Sequence, residues 1–412
     1  MHLSFVSFLI FTLALTAHSS PILNLAKANQ TSDTYIVLLN PSLSATSLRS
    51  HLAWASTTIS TSSMSKSQTP DLNIIPFTIS TLHGYTITTS ATQIQVLSTH
   101  PSISSIELDT PLSLPQTAPT LLNRAIQPSP PWGLARISHR KLNGSATNSY
   151  IYISTSGTYV YILDTGVRTT HQAFQGRAYC GYNAITQTVG SGCEDVNGHG
   201  THVAGTASSL DYGVVRFAGI IAVKVLGDGG SSSVSTIIRG IQWSVTDTIS
   251  KSRIGQATAL LAVGGSFSAA LNAAVAAAAD AGLFIAVAAG NSNTDAGNYS
   301  PASERKACTV GASEAGDRKT SASNYGAAVD IYAPGQSTLS LWSTSDTAVS
   351  TISGTSSAAA HIAGLGAYFL AIEGPRGAVE LCERLKEVAT RDVLGGIPAG
   401  GNNLLAYNLS GE

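Results

Sequence analysis

Between residues 159 and 163 the chain reads Tyr-Val-Tyr-Ile-Leu, an unbroken apolar run that ends at the carboxylate of Asp164. A short run without polar alternates predicts a strand buried on both faces, as in a parallel sheet covered by helices. Largely apolar runs at 217–225, 258–263 and 283–288 follow the same pattern, and small-residue segments at 199–209, 233–246 and 271–281 lie between them. That rhythm predicts an α/β domain with a doubly wound, mainly parallel sheet. From Ser356 to Ile372 the side chains are small or apolar on nearly every face with no formal charge, and Gly374-Pro375 follows. This predicts a helix buried all round.

The N-terminal third is patterned differently. Residues 33–112 read as a small α+β module: a strand at 35–39, a helix at 43–55, a Ser/Thr-rich loop at 56–68, a strand at 84–87, a helix at 91–99 and a closing strand at 103–109. Residues 113–130 are rich in Pro, Thr and Gln and predict an extended, cleavable linker before a main domain at 131–412. The apolar run from Phe5 to Ala17, with small residues at Ser19-Ser20, predicts a signal peptide over 1–20 and is too short for a membrane anchor. The later apolar stretch near 257–290 is interrupted by Gly264-Gly265, Asn272 and Asp280, so no membrane association is expected.

Composition narrows the classes. With 412 residues, 43% hydrophobic and 11% charged, there is material for one large core and a small accessory module. A net charge of -1 argues against nucleic acid or a polyanionic surface as partner. The expectation is a secreted, extracellular, soluble monomer.

Chemistry enters through three separated residues. Ser356 would open the apolar helix, where unpaired N–H groups and the helix dipole stabilise a forming oxyanion. Gly-Thr-Ser-Ser by itself is an ordinary capping run, so other residues must decide. Asp164 ends a buried strand, and His199 opens a small-residue helix in Asn197-Gly198-His199-Gly200-Thr201-His202. Strand C-termini and the following helix N-termini form the ligand crevice of such sheets, which would bring carboxylate, imidazole and hydroxyl to one edge. A serine nucleophile needs a base and an orienting carboxylate. His202 lacks the i, i+4 partner and intervening Glu of a helical zinc pair, and His361 reads as a packed histidine. Cys180, Cys193, Cys308 and Cys382 show no CxxC spacing, and all four fall in the main domain.

In this order Asp-Thr-Gly, Gly-His-Gly-Thr-His-Val-Ala-Gly and Gly-Thr-Ser resemble the subtilisin-like serine proteases, most closely the secreted fungal proteinase K branch; the Asp, His, Ser order is the known subtilisin order. Residues 131–137, 287–291 and 403–408 carry the resemblance across nearly all of the chain after about residue 125. The resemblance implies a triad of Asp164, His199 and Ser356, with Asn291 as oxyanion donor. It implies a primary pocket walled by Val263, Gly264, Gly265 and by Ala288, Ala289, Gly290, and a substrate-pairing edge at Gly230, Ser231 and Ser232. No charge stands in those segments except Asp228 just before the edge, so apolar P1 side chains are expected.

It further implies that 33–112 is an inhibitory propeptide, an intramolecular partner besides protein and peptide substrates, with maturation near Arg124-Ala125. Cys308 and Cys382 match a family disulfide, leaving Cys180 and Cys193 to pair locally. No cofactor is expected for catalysis. A structural calcium is, held by Asp330 and the carbonyls of Arg305 and Ala307, while Val393 stands where a second site needs an aspartate. Sequons at Asn29, Asn143, Asn298 and Asn408 permit glycosylation. Ala262, Val234, Ser357 and Ala360 depart from the family, which has Met where Ser357 stands. Two other activities fit the same residues: a catalytically silent homologue acting as a binding protein, and an acyl transferase or esterase.

Overall fold

A computed structural model describes residues 21–23, 33–62, 74–113, 120–122, 129–142, 149–152 and 155–410. The expected signal peptide and the maturation point near 124–125 lie outside the described residues.

The main sheet runs in the order Thr188–Val189, Ala178–Asn183, Gly219–Lys224, Tyr159–Asp164, Ala257–Leu261, Phe284–Ala288, Cys308–Glu314, Ile331–Pro334, Leu404–Leu405, Thr390–Arg391. From Ala178–Asn183 to Leu404–Leu405 every neighbouring pair is parallel, and the antiparallel pairings fall at the two ends and at the short strand Arg318–Lys319. Alternation within each apolar run decides which core a side chain joins. Val160, Ile162, Ile220, Ala222, Leu260 and Ala286 face one core. Tyr161, Leu163, Ile221, Val223, Leu261 and Ile285 face the other. Both faces are dry because helices cover both, as the unbroken runs require.

Eight α-helices are named here in chain order: α1 (Ala45–Ser62), α2 (Ala91–Ser98), α3 (Trp132–Ile137), α4 (His199–Ala207), α5 (Val234–Ser250), α6 (Ala269–Asp280), α7 (Thr355–Glu373) and α8 (Ala378–Val388). Helices α4 and α7 pack in the first core, and α5 and α6 in the second. Helix α7 is apolar and long enough to cross a membrane, yet every residue from Thr355 to Leu370 is buried inside the protein. Its length and its stop at Gly374, with φ of 89°, match the sequence expectation.

The N-terminal module is a sheet in the order Ile22–Leu23, Ile103–Leu108, Asp33–Leu39, Leu82–Thr89, Ile75–Ile79, with α1 and α2 on one face. Three readings need correction. The module gains a strand at Ile22–Leu23, upstream of residue 33, and another at Ile75–Ile79. Helix α1 continues through the run expected to be a loop, to Ser62. Ala55 and Ile59, one turn apart, bury in the module core, and that packing overrides the weak helix preference of Ser and Thr.

The opposite face of this sheet, through Ile36, Leu38, Phe77 and Ile79, joins the core of α5 and α6. Just beyond, two carboxylates meet two helix N-termini. Glu107 Oε2 accepts from Ala270 N–H of α6 at 3.0 Å, and Asp109 Oδ1 accepts from Ser235 N–H of α5 at 3.0 Å. Burial raises the pKa of both. The chain then continues as Pro111–Ser113, which pairs antiparallel with Ser231–Ser233. In the linker, Thr120–Leu122 pairs antiparallel with Val349–Ile352.

Candidate active site

Asp164, wholly buried at the C-terminal end of its strand, receives Thr165 N–H on Oδ1 at 2.7 Å. His199 is the first residue of α4, and its Nδ1 lies 2.8 Å from Asp164 Oδ1 and 3.0 Å from Oδ2. The turn delivering it requires glycine at Gly198, where φ is 103° and a Cβ would stand 2.4 Å from the Trp342 ring. Burial alone would push the imidazole pKa down, but the Asp164 carboxylate, with a smaller share from Asp195, outweighs it and leaves the pKa raised.

Asp195 was not anticipated. Its Oδ1 accepts from Thr165 Oγ1 at 2.7 Å and Gly198 N–H at 2.8 Å; Oδ2 accepts from Thr201 N–H at 2.7 Å and Thr201 Oγ1 at 2.6 Å. One buried carboxylate thus caps α4 and ties it to the residue after Asp164. An acid four positions before His199, at a predicted helix start, was the available signal.

Ser356 is the second residue of α7 and is 3% exposed. Its Oγ donates to the Ala262 carbonyl at 3.1 Å. The residue before it builds the next wall: Thr355 N–H and Oγ1–H both reach Asn291 Oδ1, at 2.9 and 3.0 Å, and Thr355 Oγ1 accepts from Gly290 N–H at 3.1 Å. With its oxygen held there, Asn291 leaves Nδ2 buried and without a hydrogen-bond partner among the described residues, beside Gly354. Asn324, also missed from sequence, shapes this loop. It donates to Ala289 O at 2.9 Å, and its Oδ1 accepts from Ser292 N–H and Thr294 N–H at 3.0 and 3.1 Å.

Val263, Gly264 and Gly265 follow the strand Ala257–Leu261, and Ala288, Ala289 and Gly290 finish its parallel neighbour Phe284–Ala288. The two triplets therefore stand side by side at the sheet's C-terminal edge. Ser231 and Ser232 lie in the edge strand Ser231–Ser233 that pairs with Pro111–Ser113, Gly230 immediately precedes it, and Gly265–Ser266 also contacts Pro111–Ser113. His202 and His361 stand apart from the triad. Burial pushes the His202 pKa down to about 3 and that of His361 to about 4, and their Nε2 and Nδ1 atoms engage the Thr338 and Ser357 carbonyls.

The cysteines pair as Cys180–Cys193 and Cys308–Cys382. Asn408 is buried and donates to Ile151 O, so as it stands it offers no accessible glycan acceptor. The expected calcium donors fit poorly. Asp330 Oδ2 accepts from Thr309 N–H at 2.9 Å, and Oδ1 faces the Lys386 ammonium at 3.5 Å. Cys308 and Cys382 come within 4.8 Å of this carboxylate but are spent on each other. Calcium sites gather anionic and carbonyl oxygens, and here the one carboxylate already meets a cation.

Comparison with known proteins agrees with this geometry. The pattern of the subtilase family matches residues 155–390, and that of the peptidase inhibitor I9 family matches 34–115. A subtilisin-like serine protease of Sarocladium strictum is 46% identical over 79% of this chain and 80% of its own length. A cuticle-degrading protease of Metarhizium anisopliae is 43% identical over 79% and 80%. A crystal structure of a cold-adapted subtilisin-like serine proteinase superposes with a TM-score of 0.64 at 36% identity, covering 68% of this chain and 99% of that one. The chain belongs to the subtilase family of subtilisin-like serine proteases and carries an I9 inhibitor module at its N-terminal side.

Proposed function

We propose that this protein is a secreted serine endopeptidase that cleaves after apolar P1 side chains by way of an acyl-enzyme. The observation that carries this reading is the His199 Nδ1 contact with both Asp164 oxygens, set against the α7 N-terminus that bears Ser356. His199, neutral, takes the Ser356 proton through Nε2 as Oγ attacks the scissile carbonyl, then returns it to the leaving amine. For that the hydroxyl turns from the Ala262 carbonyl, which it meets at 3.1 Å, towards the imidazole. Asp164 fixes the tautomer and stabilises the imidazolium. Asn291 Nδ2 and the Ser356 N–H receive the oxyanion, and the amide is free to do so because Thr355 already holds its oxygen. No cofactor takes part in these steps.

The glycines and small residues at 263–265 and 288–290 leave an uncharged gap for P1, and the edge at 230–232 offers backbone groups to an extended substrate. Residues 33–112 act as the inhibitory propeptide. Pro111–Ser113 occupies that edge as a substrate strand would, which supports inhibition by occlusion. Export by residues 1–20 and cleavage near Arg124-Ala125 complete maturation.

The test is hydrolysis of a chromogenic Phe- or Leu-P1 peptide from about pH 5 to 10, with Ser356→Ala alongside. Because His199 must be neutral and its pKa is raised, activity climbs with pH and its half-maximum lies above the ordinary histidine value of about 6.5. Activity abolished by Ser356→Ala and by a serine-directed sulfonylating reagent is expected. An inert protein after removal of the propeptide would overturn the reading.

A further inference from the structure

Lys386 is on α8, one turn beyond Cys382, whose disulfide to Cys308 fixes that helix to the strand Cys308–Glu314. Its Nζ lies 3.5 Å from Asp330 Oδ1 and 2.7 Å from Glu383 Oε1. Lys386 and Asp330 keep only 22% and 23% of their side-chain surface exposed, so neither charge is freely hydrated. The second Asp330 oxygen is taken by the Thr309 N–H, which joins the same strand. Disulfide, amide and ion pair together therefore clamp α8, Cys308–Glu314 and the segment entering Ile331–Pro334.

A divalent ion seated on Asp330 would lie beside this ammonium, and in a half-buried setting two like charges repel with little screening. A single carboxylate is the only anionic donor of the expected set, and it already faces the Lys386 ammonium, which it shares with Glu383.

We propose that the Lys386 ammonium takes the place of a structural cation at Asp330, so that the clamp is closed by a charge the chain itself supplies and does not depend on calcium there.

Thermal melting of the full chain in a Ser356→Ala background, with calcium chloride or with EDTA, tests this. Lys386→Met and Asp330→Asn, singly and combined, are melted in parallel. The expected result has two parts. The change in melting temperature between calcium and EDTA is the same with Asp330 intact as in Asp330→Asn, which keeps any calcium bound elsewhere from counting. Lys386→Met melts lower in EDTA and is raised by calcium, and the double variant loses that added response. A calcium response that Asp330→Asn removes from the otherwise unaltered chain overturns the proposal, because calcium then binds beside Lys386. So does a Lys386→Met variant that melts unchanged or gains no response to calcium.

Discussion

Asp195 makes no contact with substrate in the mechanism proposed, yet four hydrogen bonds converge on its carboxylate, from Thr165, from Gly198 just before α4 and two from Thr201 within it. It orients the His199 ring by fixing the turn that carries it, and its charge helps keep the imidazole pKa raised. Asp195→Asn is isosteric but presents an amide N–H₂ where two donors point. We expect kcat to fall about 10- to 100-fold, the equivalent of roughly 1.5–3 kcal/mol for hydrogen bonds to a charged group. The sign of the pH effect follows from the charge: removing a carboxylate that raises the His199 pKa lowers it, so the acid limb of kcat/KM moves to lower pH. A purely structural residue would change melting temperature and leave that limb in place, so overlaying pH profiles would end the argument for a positioning role. Asp164, His199 and Ser356 were legible in sequence because each lies in a local motif. Asp195, Thr355 and Asn324 were less so, since their partners lie up to 65 residues away.

At the scale of elements, the strands expected from apolar runs are present, and those missed are built from small residues. Ala178–Asn183 reads Ala-Tyr-Cys-Gly-Tyr-Asn, without an apolar run, because Gly181 makes room for Trp243, whose ring would be 2.6 Å from a Cβ there. In Cys308–Glu314 the same logic holds at Gly311, where a Cβ would meet the Tyr332 ring at 2.3 Å. The propeptide interface was likewise out of reach of periodicity, since Glu107 and Asp109 look like solvated charges until α6 and α5 are placed against them. Acids at helix N-termini satisfy orphan N–H groups and the dipole, and losing such a cap costs about 0.5–2 kcal/mol. Added in trans to the mature protease, propeptide bearing Asp109→Ala should therefore inhibit about 2- to 30-fold more weakly than the unaltered module. Equal inhibition constants would show that the apolar face through Ile36, Leu38, Phe77 and Ile79 holds the complex without the caps.

For the molecule as a whole, the same sparing use of reactive side chains sets its chemical durability. The two methionines, Met1 and Met64, precede the peptidase domain, and all four cysteines are consumed in disulfides. In the chain-entropy account the bridges, 13 and 74 residues in span, contribute about 3 and about 4.5 kcal/mol by restricting the unfolded chain. Peroxide acts first on thiolates and thioethers, turning a buried Met into a polar sulfoxide that no longer fits its site. Beside the nucleophile this chain has Ser357, wholly buried, where oxidation has nothing to attack. The mature protease should therefore keep most of its peptidase activity through an exposure to dilute hydrogen peroxide that inactivates a Ser357→Met variant. Residual activity of the two proteins, measured side by side, decides the matter. Rapid loss in the unaltered enzyme would place the sensitive group elsewhere, with His199 the first to examine, because its ring is the one oxidisable side chain the reaction cannot spare.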